Sequence, residues 1–327
     1  MHDSVKSKVI LRSTRELSIA EAVRECLDSL NWRDVVTRDA TVVIKPNLCT
    51  AKKEIVIGAN TNVAVVRAVC EILLERTNRI YIGESGHLRQ SPDDCFPAAG
   101  YTDMAAELGI QLVNFSKGPT IARDCPPAGQ IQMPKLLLES DVYINIPVLK
   151  THALTYFTCS LKNQWGCVPD AHDRLRFHKY INPMLSSLQK MLQPKLVIVD
   201  GTFGMEGRGP VAGPIRKIDV ILASPDGVAA DATAARLVGL DPSRAKHIVL
   251  AEQAGLGFAS AGRIDVDGDW NALSTKFQPP PRDFANRAMF QVTQYPWFVK
   301  NVLANDTIYY PVRDFVKFLR RVGIVGG

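Results

Sequence analysis

No two of the seven cysteines form a C-x-x-C pair, and their number is odd. A chain of 327 residues can build an ordinary core and does not need disulfide staples, so reduced thiols are expected. No run of five or six like charges occurs either. The 39 Lys and Arg against 33 Asp and Glu leave a formal charge of +6, scattered rather than gathered in a basic stripe. That distribution argues against a nucleic-acid partner. No apolar run reaches the length of a membrane span, and the opening "MHDSVKSKVILRS" has no apolar core of signal-peptide length. A cytoplasmic protein with no membrane partner is expected. Two nucleotide signatures are missing as well. No glycine-rich loop ends in GK[ST], and no G-x-G-x-x-G follows a strand, which excludes a standard nucleotide triphosphatase and a standard nicotinamide dehydrogenase. The histidines lack zincin spacing, which excludes that type of zinc site.

What is present is a regular alternation. At 46% hydrophobic and 22% charged, the composition is that of a globular protein. Short β-branched runs predict strands at Lys8–Leu11, Thr41–Lys45, Arg79–Gly83, Gln111–Asn114, Val142–Ile146, Leu196–Asp200 and Asp219–Ala223. Between them, helical patterns fall at Ser18–Leu30, Thr61–Arg76, Tyr101–Leu108, Pro183–Leu192, Gly227–Leu237 and Ser243–Ala254. Apolar strands separated by such helices imply βαβ units. The expected fold is α/β, a mostly parallel, doubly wound, Rossmann-like sheet. Residues 1–260 read as the α/β domain, with 150–182 as a functional loop or small subdomain. Residues 261–327 read as a C-terminal extension for packing or dimerisation. There "FQPPPRD" marks a boundary, and Val312, Phe315, Val316, Leu319 and Val322 fall on one helical face.

The polar motifs follow the strands. Lys45-Pro46-Asn47 follows "TVVI", Glu84-Ser85-Gly86-His87 follows "RIYIG", Lys150-Thr151-His152 follows "VYINIPVL", and "GTFGMEGRGPVAG" follows "KLVIVD". Ligands of open parallel sheets bind outside the carboxyl ends of the strands, so these motifs would converge on one crevice. Each also has a plainer explanation: a turn at Lys45-Pro46-Asn47, a helix cap at Glu84–His87, a surface turn at the glycines, and a charged surface loop at "DAHDRLRFHK". Taken together they suggest acid/base chemistry on an anion. His152, His178, Glu84 and Lys150 are the candidate catalytic groups. Lys45, Asn47, His87, Lys162, Asn163 and Arg174, with the backbone at Gly207 and Gly209, are the candidate substrate-binding groups. Asp200 and Glu206 are candidate ligands for a divalent metal. Asp226 reads as a helix cap, and Asp231 as either a site residue or a solvent-facing one.

"VVIKPNL", "IGESGH", "LKTH…LKNQWGCVPD…H", "DGTFGMEGRGPVAG" and "ILASPDGVAADATAARLVGLDP…AEQAGLG" resemble, in type and order, the DUF362 family, a domain of unknown function. The resemblance runs from about Lys8 to Gly257. Some members of that family carry a fused ferredoxin-type domain with closely spaced cysteine ligands. This chain has no such spacing, so the resemblance is to the core domain alone and no iron–sulfur cluster is expected in it. The architecture is also loosely similar to the α/β domain of lactate racemase-type proteins, with no residues tied to that likeness. The expected function is an enzyme acting on a small carboxylate or phosphate metabolite by proton transfer, as in racemisation, isomerisation or elimination. The alternatives are an iron–sulfur or other redox-cofactor electron-transfer protein, and a non-catalytic metabolite-binding module.

Overall fold

The computed structural model describes residues 6–281, and beyond them 295–298, 301–302, 307–308, 311, 314–315 and 318. Val312, Val316, Leu319 and Val322, expected on one helical face, lie outside the described residues. The dimerisation expected of the extension concerns the same region.

Among the described residues, twelve strands form two sheets: β1 (Ser7–Ser13), β2 (Val42–Pro46), β3 (Ile80–Glu84), β4 (Gln111–Asn114), β5 (Thr120–Asp124), β6 (Gln130–Pro134), β7 (Val142–Ile146), β8 (Val148–His152), β9 (Tyr156–Thr158), β10 (Leu196–Met205), β11 (Ile215–Ser224) and β12 (Ile264–Asp267). The main sheet runs β12-β1-β11-β10-β7-β2-β3-β4, with β8 joined to β10 and β9 to β8; β5 and β6 form a separate hairpin. The order β10-β7-β2-β3-β4 is parallel throughout, whereas β11 is antiparallel to both β1 and β10. The fold is therefore α/β with a mixed, mostly parallel sheet covered on both faces.

Strand periodicity explains the layers. In β2, Val42 and Ile44 face one core with Ile82, Ile144 and the helices Ile19–Ser29, Val63–Leu73 and Tyr101–Leu108, while Val43 faces the other side with Tyr143 and Leu188. In β10, Ile198 joins the first core, and Val197 and Val199 pack on the helix Gly227–Leu237. That helix is alanine-rich and buried nearly all round, which lets it lie close against the sheet. Helix starts follow local chemistry: Ser18 and Glu21 form a reciprocal capping box, and Asp226 accepts the amides of Val228 and Ala229.

Three features differ from the sequence expectation. The strand after Lys195 continues past Asp200 to Met205, so Gly201 and Gly204 are strand residues rather than loop glycines. They are small because the sheet crowds them: a Cβ would lie 2.7 Å from Val220 O at Gly201 and 2.8 Å from Leu149 O at Gly204. Lys150–His152 lie within β8, since Pro147 interrupts the extended run without ending it; β7 and β8 pair with successive parts of β10. The segment 150–182 is thus built of β8, β9 and short helices, whose brevity hides any periodicity. Past residue 260, β12 is hydrogen-bonded to β1 in the main sheet.

The chain enters β2, steps outward to β3 and β4, then returns to β7 on the other side of β2. The carboxyl ends of β2 and β7 therefore diverge into a crevice at a topological switch point. Gly83 brings β3 close beneath Phe115; a Cβ there would lie 2.0 Å from Phe115 Cζ. Gly83→Ala is expected to cost about 2 kcal/mol through overpacking, read as a lower urea midpoint, with partial recovery in Gly83→Ala/Phe115→Leu.

Candidate active site at the carboxyl edge of the sheet

Lys45 and Glu84 end adjacent parallel strands, and their side chains meet below the crevice floor at 0% and 3% exposure. Lys45 Nζ donates to Glu84 Oε2 at 2.8 Å, to Pro46 O at 2.9 Å and to Asn163 Oδ1 at 3.2 Å. The three donors of the ammonium are thus all used. Glu84 is equally occupied, since Oε2 also accepts from Leu48 N at 3.1 Å and Oε1 from Ser85 N at 2.9 Å. Gly166 is glycine for a steric reason, because a Cβ would lie 2.5 Å from Glu84 Oε1.

The polar frame continues outward from this pair. Asn163 Nδ2 donates to Asn145 Oδ1 at 2.7 Å, and Asn145 Nδ2 donates to Ser160 O at 2.9 Å. Asp231, fully buried on its helix, accepts Ser160 N at 2.6 Å and Leu161 N at 3.1 Å. The turn Ser160–Asn163, which carries Lys162, is therefore tied at both ends. His247 Nε2 stands 4.0 Å from Asp231 Oδ2 with no hydrogen-bond partner on either ring nitrogen. Burial pushes Asp231 up to about 7 and His247 down to about 3, favouring the neutral form of each.

Above this frame is a cavity of about 130 Å³. Lys45, Asn47, Glu84, His87, Lys150, His152, Lys162, Asn163 and Arg174, all singled out from the sequence, line it together. Lys150 Nζ donates to Asn47 Oδ1 and to Ala59 O at 2.7 Å, and lies 3.7 Å from Cys49 Sγ. Burial lowers the Lys150 pKa, partly offset by Cys49. Arg174 is buried and donates to Gly86 O. Lys162 is half-buried; loss of water and the nearby charges of Arg174, Lys150 and Lys45 push its amine down to about 7.

The two cavity histidines are held in the same tautomer, with the ring proton on Nε2, but by different contacts. His152 Nδ1 accepts the amides of Leu154 at 3.1 Å and Thr155 at 3.4 Å, so the ring proton is on Nε2. Burial, with Lys162 next, holds its pKa well below the usual range and keeps it neutral. His87, exposed at the cavity mouth, contacts Cys49 O through Nε2 at 2.8 Å; a carbonyl only accepts, so Nε2 carries the proton and Nδ1 of the neutral ring keeps a lone pair.

Other sequence candidates fall elsewhere. His178 packs edge-on against Trp165 with ring centres 5.7 Å apart and does not line the cavity; burial pushes it down to about 3. Gly207 O accepts from Thr151 Oγ1 at 2.9 Å, and Gly209 packs on β8, where a Cβ would lie 2.2 Å from Thr151 O. Gly209 serves close backbone packing, Gly207 takes a left-handed φ of 62°, and neither lines the cavity. Asp200 accepts Asn62 N at 2.7 Å and Thr202 Oγ1 at 2.6 Å beside a separate recess of about 340 Å³. Glu206 accepts Gln278 N at 2.9 Å and so anchors the segment after Leu273. The two carboxylates are occupied in different places, and among the described residues no three His, Cys, Asp or Glu side chains group closely enough to hold a metal ion. Cys49, Trp165 and Gly166 line the cavity without having been singled out. A cysteine four residues after Lys45 was the available signal for the first.

The family described as "Domain of unknown function (DUF362)" matches residues 42–236, more than half the chain. The chain belongs to the DUF362 family. All the cavity-lining residues lie inside the DUF362 segment, whereas His247 lies beyond it. A thylakoid-associated protein of Synechocystis sp. is 30% identical over 275 residues, covering 79% of this chain and 82% of that protein. Among solved structures, the lactate racemase apoprotein of Thermoanaerobacterium thermosaccharolyticum is similar at a TM-score of 0.46 and 11% identity, covering 72% of this chain and 57% of that one. A Thermotoga maritima protein is similar at a TM-score of 0.39 and 15% identity, covering 72% and 59%. This DUF362 chain thus spans less than two thirds of either structure. No helix among its described residues is long and apolar enough to cross a membrane.

Lys45→Met or Glu84→Gln alone is expected to cost about 3–5 kcal/mol, because each strands a buried partner. Lys45→Met/Glu84→Leu together should cost clearly less than the sum in urea unfolding, and simple additivity would contradict the coupling. The Lys162 amine gives a second expectation. Between about 7 and the ordinary 10.5 the unfolded chain holds a proton that the folded chain has lost. Stability relative to Lys162→Met should therefore rise with pH through that window, and a flat difference in Tm would contradict it.

Proposed function

We propose that the cavity binds a small metabolite carrying a carboxylate or phosphate, and that the protein is an enzyme moving a proton on it. The observation carrying this reading is the convergence of Lys45, Lys150, Lys162 and Arg174 on one small cavity whose single carboxylate, Glu84, is already paired with Lys45. An anion relieves that excess positive charge, and a partly dry recess strengthens the attraction. Lys150 and Arg174 hold the anionic group, with Asn47 orienting Lys150. Glu84 positions Lys45 and the loop after it rather than acting as an acid.

The histidine tautomers support a division of labour at the other end of the ligand. His152, protonated on Nε2, donates to a developing negative oxygen, and His87 Nδ1 accepts the proton. His152 and His178 were both candidate catalytic groups; His152 is assigned the donor role because its Nδ1 is occupied by backbone amides. A neutral donor and a neutral acceptor at one cavity suit abstraction of a proton next to a carbonyl.

The test is isotope exchange. In D2O, a panel of small carboxylates and phosphate esters should include one that loses a C–H signal by proton NMR only with the protein present. His87→Ala and His152→Ala should each lower that exchange about 10²- to 10⁴-fold, with binding of malonate as an inert dianion little changed. Binding across the panel without any exchange would sink the enzymatic reading and leave a binding module.

A further inference from the structure

Lys162 has no part in the frame that builds the cavity. Lys45 has three acceptors and Lys150 has two oxygens, but the Lys162 amine has no hydrogen-bond acceptor among the described residues. Its backbone is nevertheless held firmly, with Asp231 on the amides of Ser160 and Leu161 and Asn163 tied to Asn145. A cationic side chain placed beside Arg174, Lys150 and Lys45 with nothing to pair it is costly unless its task is done uncharged. An uncharged, unpartnered amine at a cavity wall is a nucleophile.

We infer that Lys162 forms an imine with a small aldehyde or ketone that also carries a carboxylate or phosphate. The inference deepens, and rests on, the reading of the cavity as an anion site, and it names the carbonyl as the second group required of the ligand. The Nζ lone pair adds to the carbonyl carbon while the carbonyl π pair moves to oxygen. The carbinolamine then loses water as the C=N bond forms. Both N–H hydrogens leave in that water, so nothing is oxidised or reduced. His152 Nε2–H, in the same cavity, is a donor for the departing oxygen, and Lys150 and Arg174 are counter-charges for the anionic group. The low pKa of Lys162 supports the step, since about half the amine is free at neutral pH.

Borohydride trapping tests the proposal on the intact chain, with pyruvate, glyoxylate and pyridoxal 5′-phosphate as probes and malonate as a competitor lacking a carbonyl. Peptide mass mapping should place one reduced adduct on Lys162, formed on the order of tenfold faster than on the exposed Lys190 and slowed by malonate. Lys162→Arg should still bind malonate by calorimetry and take up no adduct at the site. If malonate binds but Lys162 labels no faster than Lys190, the imine is wrong and the anion site stands. If malonate does not bind and Lys162 is not labelled, both readings fall.

Discussion

The ion pair between Lys45 and Glu84 is the constraint on which the rest of the site depends. It joins the ends of two parallel strands, and each partner is saturated by further contacts: Asn163 and Pro46 on one side, the amides of Leu48 and Ser85 on the other. Taking two charges out of water is expensive, and hydrophobic residues could fill the same space at no such cost. What the pair provides instead is geometry. Through Asn163 and Asn145 it dictates where the turn carrying Lys162 sits, and through Leu48 it dictates how the chain leaves β2 toward Cys49.

With Glu84 neutralised from below, the cavity above has cations and no free counter-charge. Removal from water, and after it the neighbouring cations, lower the amines of Lys150 and Lys162. The outcome depends on what each side chain touches. Lys150 finds two oxygens and a sulfur, Arg174 finds Gly86 O, and Lys162 finds nothing, so the largest resolved drop among these cations falls on Lys162. The difference between these lysines is one of partners more than of depth.

Much of the frame was legible in the chain because continuous apolar runs such as "TVVI" and "RIYI" have one structural meaning, and polar residues directly after them fall on one edge of a parallel sheet. That logic placed Lys45, Asn47, Glu84 and His87 correctly beside one another. It faltered where a residue type has two meanings. Pro147 looked like a strand end and is an interruption, and Gly201 and Gly204 looked like a loop and are strand positions kept small by Val220 and Leu149. The histidine tautomers were beyond reach, since they are set by the amides of Leu154 and Thr155 and by Cys49 O, which spacing cannot reveal. His247 stands alone in the sequence and meets Asp231 only after helices pack.

The wiring of the site also bears on how the protein is made. Lys45 bonds to the side chain of Asn163, 118 positions later, and Asn163 is in turn held by Asn145. A chain emerging from the ribosome can pair β2 with β3 early, but that half-sheet holds Lys45 and Glu84 without Asn145, Asn163, Lys162 or Arg174. The charged pair then sits at an open edge wet enough to tolerate it. Only when β7 closes the other side of the switch point, and the residues after it fold over, does the recess exist. Non-local closure of this kind is among the slower events in folding. The cavity therefore appears all at once, late in synthesis, and a nascent or truncated chain lacks it until these elements have packed.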